Sequence, residues 1–188
     1  WGSYLDGLSS KRRREIARQR RRLAGSGAVL SPVVLEERVA EVLECRCALL
    51  RRYGQRADLA AERARLSRLH EAFGDDLGVH GVFHDGALVA CSVSVRYGRS
   101  AHMVYAGATD AGHALPYAYF GAAFYAMVER AGRDQLDEVD YGIGHGEGKM
   151  LRGCSHTPLS GHAIGLDRAT SDLLHRAARL LARSPHPY

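Results

Sequence analysis

Residues 77–106 read LGVHGVFHDGALVACSVSVRYGRSAHMVYA. From Leu77 the apolar positions recur every second residue, the period of a strand with one buried face. Val79-His80-Gly81-Val82-Phe83 alternates, His84-Asp85-Gly86 supplies a tight turn containing Asp-Gly, and Leu88 to Tyr97 alternates again. Gly98-Arg99 then turns the chain into Ala101 to Ala106. The pattern predicts a three-stranded antiparallel meander, around which the other segments fall into place.

Downstream, Leu115 to Ala131 is strongly apolar, carries Tyr117, Phe120, Phe124 and Met127, and reads as one helix; Glu138 to Tyr141 reads as the next strand. Strand, helix and strand make a crossover, which lays the last strand parallel to an earlier one. A glycine-rich turn, a strand near Leu159 to Gly165 and an amphipathic helix from Arg168 to Arg183 follow. Upstream, Ser9 and Ser10 are N-cap residues for a helix that runs to Leu23 and is stopped by Gly25-Ser26-Gly27. A short strand at Ala28 to Leu30, a helix opened by Pro32 and running from Val33 to Tyr53, and another from Ala57 to Phe73 complete the order. The fold class expected is α+β (mixed α/β): a mostly antiparallel central sheet with helices on both faces.

At 188 residues and 20.5 kDa the chain is expected to form one domain. Its 46% hydrophobic and 25% charged residues, with 21 Gly and only 5 Pro, exclude a disordered or collagen-like chain. The longest apolar stretch, Ala87 to Val95, contains Ser92 and Ser94 and is far shorter than the roughly 20 residues of a membrane-spanning helix. The chain begins with Trp1 and without the residue order of a secretory signal, as expected of a processed piece. Cys45, Cys47, Cys91 and Cys154 form no CxxC pair, which points to reduced thiols and a cytoplasmic setting.

Charge is unevenly spread. Lys11, Arg12, Arg13, Arg14, Arg18, Arg20, Arg21 and Arg22 stand against Glu15 alone, so twelve residues hold +7 of a total of +5 and the remainder carries −2. Leu8, Ile16 and Leu23 give this helix only a thin apolar stripe, leaving most of it to water or to a polyanion. Arg12, Arg13, Arg14 and Arg18 are the expected phosphate contacts.

The remaining signal is Tyr141-Gly-Ile-Gly-His-Gly-Glu-Gly-Lys-Met-Leu-Arg-Gly-Cys, with Pro158 and His162 beyond. Gly144, Gly146, Glu147, Lys149, Arg152, Gly153, Pro158 and His162 resemble the G-x-G-E-x-K-x-x-R-G…P…H signature of FemAB-like proteins of the peptidoglycan-biosynthesis type, members of the GNAT acyltransferase superfamily. Leu5 to Arg22 is similar to the basic helix that opens the catalytic half of such proteins, and Val104 to Val128 to their aromatic crossover region. The resemblance implies a GNAT-like fold in which two central strands splay apart and receive the acyl donor between them. Such proteins commonly carry two units in tandem, so it also implies a partner: an N-terminal half outside this chain, or a second copy.

The chemistry implied is amide formation by direct attack of an amine on an ester or thioester. That needs a neutral amine, donors for the developing oxyanion and a proton acceptor. The oxyanion donors are expected among backbone N–H groups around Tyr105 to Gly107. His145 and Glu147 are the expected catalytic residues, on a loop where glycines let the backbone approach a ligand. A structural role for Glu147, paired with Lys149 or Arg152, is the alternative reading. Lys149 and Arg152 suit a phosphate or carboxylate, and Tyr105, Tyr117 and Tyr141 are donor-channel residues unless they belong to the core. Cys154-x-His156 fits no common metal signature, so no metal and no tightly bound cofactor is expected.

Coenzyme A users of this superfamily usually carry an R/Q-x-x-G-x-G/A turn, whose successive N–H groups bind the pyrophosphate. Here that place reads Thr109-Asp110-Ala111-Gly112-His113-Ala114, with one glycine and an acid. The leading expectation is therefore an aminoacyl group passed from aminoacyl-tRNA to the amine of a cell-wall precursor or small metabolite. The alternatives are an acyl-coenzyme A dependent N-acyltransferase and a tRNA-binding module without turnover.

Overall fold

The computed structural model describes residues 1–143, 146–158 and 163–182. They divide into two units, Trp1–Gly142 and Ile143–Tyr188.

In the first unit, α1 (Gly2–Asp6) and α2 (Ser10–Gly25) precede β1 (Val29–Pro32), α3 (Leu35–Arg52) and α4 (Leu59–Phe73). Ser9 caps α2 by accepting from the Arg12 N–H, and Asp58 caps α4 by accepting from the Ala61 N–H. The meander follows as β2 (Leu77–His84), β3 (Ala87–Tyr97) and β4 (Ser100–Ala108), each antiparallel to its neighbour. Its turns need left-handed backbone, supplied by Asp85 (φ 50) with Gly86 (φ 79) and by Gly98 (φ 58). β5 (Glu138–Asp140) joins β4 in parallel, giving the order β1-β2-β3-β4-β5.

Helices cover both faces of the sheet, as expected. On one face Leu43, Cys45 and Leu66 from α3 and α4 pack with Val79, Cys91, Val93 and Tyr105. On the other, Leu23 of α2 and Ala118 and Ala122 of the crossover segment pack with Val82, Val89, Ala90 and Ala108. Cys45 and Cys47 are buried, and all four cysteines are free thiols.

The crossover departs from the single helix expected over Leu115 to Ala131. Pro116 holds Leu115 in extended backbone, and Tyr117 sits at φ 64 in the left-handed region, so α6 starts only at Ala118. It runs Ala118–Phe120, widens into a π-turn at Gly121–Tyr125 and resumes as α7 (Ala126–Arg133). The residues preceding it form a separate short helix, α5 (Asp110–Ala114). Ser92 fastens the wide turn to the sheet, its hydroxyl donating to the Ala122 carbonyl at 2.8 Å.

A polar cluster lies buried beneath α7. Arg130 is 4% exposed and donates to Ser94 Oγ (2.7 Å), Asp134 Oδ2 (3.1 Å) and the Asp76 carbonyl (3.2 Å). His80 beside it meets Arg133 Nη2 through Nε2 at 3.4 Å. A guanidinium only donates, so Nε2 accepts and the proton sits on Nδ1, a buried atom with no partner among the described residues. Burial, then Arg130 and Arg133, push His80 down to about 4 from 6.5.

That depression has a sign. Between 6.5 and about 4 the unfolded chain binds a proton that the folded chain refuses, so stability falls as pH falls through this window and levels off below it. The loss from His80 is about 3 kcal/mol; His113, also lowered by burial and by Arg52, adds to the same slope. Urea midpoints measured from pH 7 to pH 4.5 check this, and His80→Gln is expected to remove the larger part of the slope.

The second unit contains α8 (Gly146–Met150) and α9 (Arg168–Ala182). Asp167 accepts from the Thr170 N–H at 2.8 Å at the start of α9, which holds its carboxyl below the usual range. Of the strand expected at Leu159 to Gly165, residues 159–162 lie outside the described residues and residues 163–165 form no strand. The described sheet ends at β5.

Candidate active site

β4 and β5 pair over three rungs only: Ser100 with Glu138, Ala101 with Val139 and His102 with Asp140. β4 then continues to Ala108, paired with β3 on one edge and with no strand on the other among the described residues. A bulge falls at the same place, since Val93 pairs with Tyr105 and Ser94 with Met103, leaving Val104 extra. β5 ends at Asp140, so beyond the His102–Asp140 rung the outer edge of β4 is open among the described residues; this opening is called the fork, and the rung is its apex.

The hydrogen-bond alternation of β4 tells which amides face the fork. Thr109 N–H donates to the Val89 carbonyl on β3 at 2.9 Å. Alternate residues of an antiparallel strand point to opposite edges, so Gly107 and Tyr105 also turn their N–H groups to β3. Ala106 and Ala108 turn theirs to the opposite edge, beyond the end of β5. Within the segment expected to hold the oxyanion donors, Ala106 is the residue with that orientation.

At the apex, His102 Nδ1 lies 3.3 Å from Asp140 Oδ2, and Gly142 N–H donates to the other oxygen, Oδ1, at 2.7 Å. Neither residue stood out in the sequence. Only the register of two strands 38 residues apart brings them together, although a histidine in the last strand of the meander was a visible signal.

Beyond β4, Thr109 caps α5: its hydroxyl accepts from the Gly112 N–H at 3.2 Å and donates to the Val89 carbonyl at 3.2 Å. Gly112 lies so close to Val89 O that no Cβ fits there. A cavity of about 270 Å³ beside this turn is lined by Asp110 together with Glu44, Ala48, Arg51 and Arg52 from α3. Asp110 therefore does not set the local charge alone. Arg51 pairs with Glu44 at 2.6 Å, whereas Arg52 makes no ion pair among the described residues.

The tyrosines separate. Tyr105 is buried in the core against α3, 5.1 Å beneath the Arg46 guanidinium, and burial pushes its hydroxyl far up. Tyr117 is the left-handed residue before α6, and Tyr141 stacks on Phe124 at 4.7 Å between ring centres.

In the second unit Glu147 lies exposed on α8 and forms no ion pair with Lys149 or Arg152 among the described residues. Arg152 is buried and donates to the Gly148 carbonyl at 2.9 Å, which ties the guanidinium to its own turn. Cys154 is half-buried and its thiol is raised, chiefly by burial, which disfavours a nucleophilic thiolate. Gly144, His145 and His162 lie outside the described residues. No group of three metal-ligating side chains forms among the described residues.

The basic helix α2 also sorts itself. Arg13 donates to the Leu8 carbonyl (2.8 Å), the Leu5 carbonyl (3.3 Å) and Ser10 Oγ (3.2 Å), closing the end of α1. Arg18 makes a two-pronged pair with Glu15, and Arg20 pairs with Glu129 and covers the Trp1 ring at 3.9 Å. Lys11, Arg12, Arg14, Arg21 and Arg22 have no such partner among the described residues. Lys11, Arg14 and Arg21 follow helical spacing and form a stripe about 15 Å long.

No described helix is long and apolar enough to cross a membrane. The chain is similar in structure to a GCN5-related N-acetyltransferase from Ralstonia eutropha JMP134, with TM-score 0.55 and 18% identity over 73% of this chain and 99% of that one. A predicted acetyltransferase from Clostridium acetobutylicum, solved with acetyl-CoA, gives TM-score 0.56 and 12% identity over 73% of this chain and 96% of that one. A ribosomal-protein-alanine N-acetyltransferase from Brucella melitensis biovar Abortus 2308 gives TM-score 0.50 and 12% identity over 74% and 99%. At these identities the likeness establishes the fold. No curated protein matches the sequence. The model of the acetyltransferase (GNAT) domain matches residues 10–150, from the first residue of α2 through the fork to the end of α8. The chain belongs to the GNAT acetyltransferase domain family.

Proposed function

We propose that this chain is an amide-forming N-acyltransferase that takes its acyl group from an acyl-coenzyme A thioester and passes it to an amine by direct attack. The observation that carries the reading is the fork: β4 loses its partner after three rungs and leaves the Ala106 amide facing the gap. Family membership and the fold shared with a protein solved with acetyl-CoA support a thioester donor. The missing glycine turn counts less than its sequence suggests, because Arg51 and Arg52 line the same cavity as Asp110.

In this reading the thioester carbonyl lies against β4 and the Ala106 N–H stabilises the oxygen as charge develops on it. The acceptor is the amine of a cell-wall precursor or a small metabolite, the class that the FemAB-like resemblance implies. Tyr141, Lys149 and Arg152 remain substrate-binding candidates.

A second reading, transfer from aminoacyl-tRNA, is favoured by the stripe Lys11, Arg14 and Arg21, because cations without partners along one helix face suit a phosphate backbone. One experiment separates the two. The chain is given acetyl-coenzyme A or a charged tRNA pool with a panel of amines, alongside a variant in which Lys11, Arg14, Arg21 and Arg22 are alanine. The thioester reading expects amide and free thiol from acetyl-coenzyme A at equal rates in both proteins. Label transfer from tRNA alone, lost in the variant and weakening with salt, would establish the second reading. RNA retention without product from either donor would mark a binding module.

A further inference from the structure

The proposed transfer needs, besides a donor for the carbonyl oxygen, a group to receive the amine's proton. We infer that His102, oriented by Asp140, is the proton acceptor of the transfer; this rests on the N-acyltransferase reading above.

Three observations converge on the pair. It occupies the last rung before β4 and β5 part, so it stands at the apex of the gap rather than along a closed edge. Two residues further on is the Val104 bulge, and two beyond that is Ala106, whose amide faces the gap. The side chains are 48% and 51% exposed, open to a substrate and yet held against each other.

The chemistry of the contact fixes the tautomer. Asp140 as a carboxylate only accepts, so the proton shared at 3.3 Å sits on His102 Nδ1 and the lone pair is on Nε2. The carboxylate is itself held by the Gly142 N–H on its other oxygen, so it cannot swing away without losing that bond. Other charges around the rung are already engaged or distant in register. Asp137 is bound to Arg99 at 2.6 Å, and Arg96 on β3 is bound to Asp76 at 2.7 Å. The residue opposite His102 on β3 is the neutral Val95, and Glu138 lies two residues before Asp140 on β5.

In the step, the amine nitrogen attacks the thioester carbonyl carbon and the C–N bond forms while the carbonyl electron pair moves to oxygen. Nε2 takes one proton from that nitrogen, and His102 becomes an imidazolium facing the Asp140 carboxylate. When the oxygen pair returns, the C–S bond breaks; the thiolate receives a proton from the imidazolium or from water. The products are the amide and the free thiol, and His102 is neutral again. His102 is the catalytic residue and Asp140 a positioning residue.

The test measures kcat and KM against pH for the unsubstituted chain, His102→Ala, Asp140→Asn, Asp140→Glu and Glu147→Gln, with acetyl-coenzyme A and the amine that the panel identifies. A general base contributes at least about 100-fold, so His102→Ala is expected to lower kcat by about that factor with KM for the thioester little changed. It should also abolish the acidic limb of the pH profile. Asp140→Asn is expected to lower kcat with KM little changed, and Asp140→Glu to recover part of the loss, because the carboxylate holds the ring's orientation and tautomer. Nitrogen-15 NMR of the His102 ring should show the Nδ1-protonated tautomer in the unsubstituted chain and a loss of that preference in Asp140→Asn. A limb that survives in His102→Ala, or that disappears only in Glu147→Gln, would overturn the inference while leaving the acyltransferase reading intact. A chain that transfers from no thioester would overturn that reading and the base role with it; an unchanged His102 tautomer in Asp140→Asn would separately overturn the pairing.

Discussion

Arg130→Ala is expected to destabilise the protein by about 3–5 kcal/mol, seen as a lower urea midpoint at pH 7. The guanidinium is 4% exposed, and Ser94, its partner at 2.7 Å, is fully buried and has no water to replace it. Its loss leaves Ser94 Oγ without a donor and the half-buried Asp134 with only Arg133, and it opens a void over Gly78, whose missing side chain makes room for the planar group. Arg130→Lys keeps the charge but not the fork of donors, and is expected to recover less than half of the loss. The same substitution to alanine has a second readout. Arg130 is the larger of the two charges that depress His80, so its removal lets the imidazole rise toward 6.5, and the fall in stability between pH 6.5 and 4 becomes shallower. A midpoint unchanged from that of the unsubstituted protein would mean that the cluster is not the close-packed unit described.

Gly107→Ala is expected to cost about 3 kcal/mol, at the upper end of overpacking, and to lower activity as well. A Cβ at Gly107 points straight at the Cys45 carbonyl of α3, a backbone atom that cannot turn aside as a side chain would. Relief requires α3 and β4 to separate, and β4 is the strand that offers the Ala106 amide to the fork. Gly27→Ala is the control. It also alters a glycine, at φ 78, but with nothing within 4 Å of the new Cβ, so only the local left-handed strain of about 1 kcal/mol is expected and transfer should be untouched. Equal effects at the two positions would show that the close approach of α3 to β4 is not what fixes the cradle.

The meander was legible because its signals are local: period-two alternation and turns whose Asp-Gly and Gly residues supply left-handed backbone. The parallel placement of the last strand followed from connectivity. The start of the crossover helix was misread because apolar character continues through Leu115 to Phe120, while Pro116 and the left-handed Tyr117, visible only as a backbone angle, delay it to Ala118. Charge counting found α2 but not its division of labour. Arg13 is spent on the carbonyls that end α1, and Arg18 on Glu15, so of the four residues expected to meet phosphate only Arg12 and Arg14 are without a partner among the described residues. The His102–Asp140 rung was invisible for a different reason: a parallel register is set by the whole crossover, and nothing in either residue's neighbourhood announces the other.

The two margins of the sheet are protected unequally. The β1 margin is four residues long and finishes at Pro32, which has no N–H to offer, so an extended chain from another molecule gains little by aligning there. Past the third rung, the outer edge of β4 has no partner strand among the described residues. In the proposed transfer, blunting it with a lysine or a proline would silence the Ala106 amide, so an edge open to unwanted self-association is one that such an enzyme must keep bare in order to work.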